Sequence, residues 1–110
     1  MEVSFSSSFK RAFKKRIKGN ADLEAKFWQK LEQFILEPFE PGLKTHKLSG
    51  RLKEFWSFSV DYDERVLFYF TEDGKAVFVD IGSHDEVYWA AAFHFPPEAE
   101  KRGTVLITQR

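Results

Sequence analysis

Residues 54–82 read EFWSFSVDYDERVLFYFTEDGKAVFVDIG, and this stretch decides the fold. From Phe55 the pattern has a period of two, with Phe55, Ser57 and Ser59 on one side and Trp56, Phe58 and Val60 on the other. Side chains alternate between faces only in a strand, so this is a strand. The polar run DYDE then turns the chain, and RVLFYF, from Arg65, is a second strand. TEDG is a hairpin signal, and KAVFVDI, ending at Ile81, is a third strand. Three strands joined by short turns form an antiparallel meander.

Upstream the period changes to that of a helix. EVSF is read as a short opening strand. Phe9, Phe13 and Ile17 then recur at every fourth position, after serines that can cap and before Gly19, which can stop the helix. The outer face carries Lys10, Arg11, Lys14, Lys15, Arg16 and Lys18, which is either a solvated face or a nucleic-acid contact. Leu23, Phe27, Leu31, Phe34 and Ile35 make a second helical stripe that Pro38 closes. PFEPGLK is a loop and HKL, from His46, a short strand. The expected class is therefore α+β, with two N-terminal helices packed on a small, mostly antiparallel twisted sheet.

Downstream, WAAAFHF reads equally as a short helix or a final strand. PPEAEKRG has the composition of a linker, and TVLIT favours a strand. Residues 1–94 are expected to form one domain, and residues 95–110 a C-terminal extension whose role the sequence leaves open. Thirteen phenylalanines in 110 residues supply a core at this small size. The chain has no cysteine, which excludes disulfides and a thiolate nucleophile. No run reaches the roughly 18–20 apolar residues of a membrane span, and no signal-peptide pattern opens the chain, so a cytoplasmic protein without membrane contact is expected.

The net charge of zero conceals an asymmetry. Residues 1–55 carry 12 Lys/Arg against 7 Asp/Glu, whereas residues 56–110 carry 5 against 10. A basic face is thus available on a neutral molecule.

The order of these pieces, with HKLSG…W, the D-x-R-V-x-F-Y type strand and I-G-S-H-x-x-x-Y closing the last strand, resembles the RelE/ParE toxin superfamily. Within it, the chain is similar to the YafQ-like messenger-RNA-cleaving toxins of type II toxin–antitoxin modules. The likeness spans roughly residues 3–88. It implies a RelE-like fold, a cognate antitoxin as partner, and a metal-independent endoribonuclease without cofactor that acts on mRNA at the ribosome. It also implies attack of a 2′-hydroxyl on the adjacent phosphorus, leaving a 2′,3′-cyclic phosphate and a free 5′-hydroxyl. The same superfamily holds gyrase-directed and inactive members that act by protein binding, and this alternative stays open. A homodimer built on aromatic surface is a further possibility.

Such a reaction needs a proton acceptor, a proton donor and positive charge on the phosphate. His84 occupies the family's histidine position, and imidazole can act as acid or base near neutral pH. His46, in HKL, is the second proton carrier or a phosphate contact. Arg65 stands where RelE-type members hold an arginine on the scissile phosphate, unless it pairs with Asp63 or Glu64. Glu64 and Asp85 are further candidates, as bases or to orient an imidazole. Lys47, Arg51, Lys14 and Lys15 offer charge to RNA, and Tyr88, four residues after His84, offers a ring for stacking on a base. Adjacent residues such as His84, Asp85 and Glu86 rarely converge on one ion, so no metal site is expected. Two positions depart from the family pattern: Val60 stands about where the family carries a second histidine, and Asp80 about where members often hold an arginine.

Overall fold

The computed structural model describes residues 1–49, 54–94 and 108–109. Its elements are β1 (Val3–Phe5), α1 (Ser7–Ile17), α2 (Ala21–Leu36), a 3₁₀ turn (Pro41–Leu43), β2 (His46–Lys47), β3 (Trp56–Asp61), β4 (Glu64–Phe70), β5 (Ala76–Gly82), α3 (His84–Phe93) and β6 (Thr108–Gln109). Local chemistry sets the helix starts. Ser6 caps α1, its Oγ accepting the Phe9 N–H at 3.1 Å, and Asn20 caps α2 through the Leu23 N–H at 3.1 Å. Gly19, at φ +70°, separates the two helices in a conformation that a side chain would strain.

The sheet order is β2-β3-β4-β5-β1-β6. The meander β3–β4–β5 is antiparallel, as is the β2–β3 pair; β1 runs parallel to β5, and β6 pairs antiparallel with β1. Register shifts set Val60 as an extra residue in β3 and Val79 as one in β5. Residues 50–53, where the sequence suggests a turn, and with them Arg51, lie outside the described residues, as does most of the expected C-terminal strand.

Alternation along the strands divides the core between two faces. On one, α1 and α2 bury Phe9, Phe27 and Phe34 against Phe58, Val66, Phe68 and Phe78. Phe78 is the hub, with the rings of Phe5, Phe9, Phe27, Phe34, Phe58 and Phe68 all within 6.5 Å of it. On the other face, Leu67, Tyr69, Val77 and Val79 pack against Val87 and Ala91 of α3. Of the stretch that read as helix or strand, residues 89–93 are helical, with Phe95 outside the described residues, and α3 covers part of the face that the two N-terminal helices leave open. That face, at the end of the β3–β4 hairpin, carries most of the chemistry.

Candidate functional site

The segment Gly82-Ser83-His84 is shaped by one capping arrangement. Ser83 Oγ accepts the Glu86 N–H at 3.2 Å, and Glu86 Oε1 accepts the Ser83 N–H at 2.8 Å. A Cβ on residue 82 would stand 2.9 Å from Glu86 Oε1, so glycine is what lets that carboxylate fold back. His84 follows as the first residue of α3. Its N–H donates to Asp63 Oδ1 at 3.2 Å, which ties the helix start to the β3–β4 turn. The ring is exposed, 3.3 Å through Nδ1 from Asp85 Oδ1, and its centroid lies 5.8 Å from the Tyr88 ring one turn along.

Arg65 is the second residue of β4, on the α3-covered face two residues before Leu67, and pairs in register with Gly82. Its Nη1 donates to the carbonyls of Tyr62, Asp61 and Glu64 at 3.0, 3.2 and 3.3 Å, so the guanidinium curls over the hairpin turn. Glu64 points to the opposite face, where Arg16 of α1 grips it: Nε lies 3.0 Å from both carboxylate oxygens. Arg16 also reaches Glu86 Oε1 at 3.1 Å, joining α1, β4 and α3. The Glu64 hydrogen bond raises the Arg16 pKa, and the Ser83 backbone N–H lowers that of Glu86.

His46 is exposed on β2, its Nδ1 3.0 Å from the Lys44 carbonyl, and it pairs with Ser57. Arg65 pairs with Ser59, two residues further along β3. Opposed residues share a face. His46 and Arg65 therefore look out on the α3 side, with Cα atoms about 12 Å apart by strand spacing and rise. Lys47 is exposed, with Nζ 6.0 Å from the Trp56 ring centroid. Lys14 and Lys15 are exposed on α1.

A cleft of about 820 Å³ separates α1 from α3 and is lined by Lys15, Arg16, Asp80, Glu86, Trp89 and His94. Asp80 is half-buried there, and its Oδ1 accepts the Ile81 N–H at 2.9 Å. Burial pushes its carboxyl up to about 6, and Glu86 adds to the shift, while the Ile81 N–H, His94 and Arg16 oppose it. Among the described residues no group of three or more His, Asp or Glu side chains is arranged to hold a metal ion.

The structure thus sets His84 and Tyr88 together, with Asp63 and Asp85 beside them. It puts Arg65 and His46 on the same face and assigns Glu64 to Arg16. Sequence reasoning named Arg16 only in the basic face of the first helix, Asp63 only as an alternative partner of Arg65, and Glu86 only in a metal cluster it set aside. Ser83-x-x-Glu86, a capping signature, was the one local signal for that anchor.

Residues 1–88 match the family described as bacterial toxin of type II toxin-antitoxin system, YafQ. No curated protein matches. Solved structures share the fold. The YoeB/ParE toxin from Agrobacterium tumefaciens is 16% identical with a TM-score of 0.64, over 76% of this chain and 99% of that one. The E. coli DinJ-YafQ complex gives 20% identity and a TM-score of 0.60, over 78% and 96%. The Staphylococcus aureus YoeB-YefM complex gives 17% and 0.61, over 74% and 94%.

Proposed function

The chain belongs to the YafQ family of bacterial toxins of type II toxin–antitoxin systems, and from that premise we propose that it is a metal-independent endoribonuclease that cleaves mRNA on the ribosome. The observation that carries this reading is that Arg65 and His46 share a sheet face and Arg65 pairs with Gly82, two residues before His84, which stands exposed on a helix start anchored by a capping box and Asp63. A 2′-hydroxyl attacks the adjacent phosphorus and loses its proton to one imidazole. The bond to the 5′ oxygen breaks, and that oxygen takes a proton from a second donor. His84 is one of these carriers and His46 the other. Arg65 offers its remaining N–H groups to the charged phosphate, and Tyr88 stacks on a displaced base. An antitoxin polypeptide is the expected partner, as DinJ is for YafQ in the E. coli complex. The test is a translation reaction with the purified protein, scored for message fragments ending in 2′,3′-cyclic phosphate. His84→Ala and Arg65→Ala each abolish most of the cleavage; wild-type levels in either would withdraw that assignment.

One observation favours a second reading, a toxin that acts by binding protein without cutting RNA. The surroundings of His84 are acidic, with Asp63 and Asp85 at hand and Glu86 in the same turn. Carboxylates repel a phosphate. Inhibition of supercoiling by gyrase with message left intact would select this reading.

A further inference from the structure

β2 pairs only with Trp56 and Ser57, so the outer edge of β3 beyond them meets α2 and the 3₁₀ turn instead of a strand. Around this open edge lies a second cleft of about 430 Å³, lined by Lys26, Lys30, Lys44, Ser59, Tyr62 and Arg65 among others. Four cations from three separate parts of the chain meet there. Lys26 is neutralised by Asp61 at 2.9 Å and Asp22 at 3.2 Å. Among the described residues, Lys30, Lys44 and Arg65 form no salt bridge, and Lys30 acts at longer range on Asp61. Tyr62, at the hairpin tip, is 93% exposed, an extreme value for an aromatic ring.

Unpaired cations beside an exposed aromatic ring match the needs of single-stranded nucleic acid, where phosphates take the charge and a base takes the ring. An acidic peptide would use the lysines but gives Tyr62 no role. We propose that the β3-edge cleft binds the single-stranded RNA segment next to the cleaved bond, with Lys30, Lys44 and Arg65 on its phosphates and Tyr62 stacked on a base. This rests on the nuclease reading and extends it to the substrate path. Arg65 belongs to both sites: it pairs with Gly82, two residues before His84, and it lines the cleft. His46 is tied to the cleft residue Lys44, whose carbonyl lies 3.0 Å from its Nδ1.

The test measures binding of a fluorescent single-stranded RNA of about a dozen nucleotides to the full chain carrying His84→Ala, which keeps the probe intact. Affinity is followed against salt. Lys30→Gln/Lys44→Gln lowers the slope of log K against log salt by about 1.4, because each lost phosphate contact removes about 0.7. Tyr62→Ala weakens binding about fivefold or more and leaves the slope unchanged. Thermal melting of each variant confirms an intact fold. If neither variant changes binding, the assignment is overturned. It is also overturned if poly-glutamate displaces the RNA while Tyr62→Ala has no effect, which would indicate an acidic protein partner. The nuclease reading is scored apart, on message cleavage by the wild-type chain. RNA bound with these dependences but never cut sinks that reading alone; message cut by a chain indifferent to both substitutions sinks only the cleft.

Discussion

Replacing Asp80 by asparagine stabilises the protein at neutral pH and not in acid. The carboxyl sits half-buried in the α1–α3 cleft, and burial lifts its pKa from 3.8 to about 6. Below 3.8 the group is protonated in the folded and the unfolded chain and contributes nothing. As pH rises through this interval the unfolded chain gives up a proton that the folded chain keeps, so stability falls; above about 6 the full cost is present. The difference corresponds to about 3 kcal/mol. Solvent still reaches part of the carboxyl, and Arg16 and His94 offset some of the charge, which reduces the figure to about 1–2 kcal/mol. Asparagine retains the oxygen that accepts the Ile81 N–H and removes the charge. Thermal melts of both proteins at about pH 7.5 and about pH 4 measure the effect, with Asp80→Asn melting roughly 5–10 °C higher at the first and level at the second. A gain of equal size at both pH values, or none at neutral pH, refutes the argument that a buried charge is the cause.

The remaining predictions concern the anchor of α3. Arg16→Ala leaves Glu64, whose side chain is only 17% exposed, without its cation, and costs about 2 kcal/mol in urea unfolding, most of it recovered as coupling in a double-mutant cycle with Glu64→Gln. Additive single effects would show that the bidentate pair contributes nothing. Gly82→Ala forces its new methyl onto Glu86 Oε1 and breaks the capping box, for a loss of about 1 kcal/mol. Glu86→Ala in the same chain removes the clash, so a double variant no less stable than Glu86→Ala alone supports the contact, and a further loss of about 1 kcal/mol excludes it.

The helices and the meander were legible because their signals are local. The Phe9–Phe13–Ile17 and Leu23–Phe27–Leu31 stripes, the caps and the two hairpin turns each lie within a few residues. α3 was ambiguous for a physical reason: it buries the small residues Val87, Ala90 and Ala91 and exposes Trp89 and Phe93, so apolar residues run round it and give no face. The neighbouring strands held a clue. RVLFYF and AVFV are apolar without alternation, which is the mark of strands covered on both sides. The spacing of His84 and Tyr88 put both on one side of α3, since four residues on a helix are about one turn. Neither the Arg16–Glu64 pair, 48 positions apart, nor the Lys30–Lys44–Arg65 cleft leaves a mark in any short window. Such groupings come from the tertiary fold alone.

The basic first half and acidic second half of the chain turn out to be folded against each other, and the pairing is uneven. Arg16 takes up Glu64 and Glu86, and Lys26 takes up Asp61. Beyond these contacts the charges divide in space: Asp63, on which Arg16 acts at longer range, and Asp85 lie around His84, while Lys30, Lys44 and Arg65 line the β3 edge. A polyanion therefore meets attraction at the strand edge and repulsion at the imidazole. On the proposed reading it reaches His84 after the edge has held it, and Arg65, in register with Gly82 and lining the edge cleft, links the two. On this account the carboxylates beside His84 need not abolish cleavage. They make it depend on binding elsewhere, so raising salt weakens the reaction through substrate capture before it touches the proton transfer.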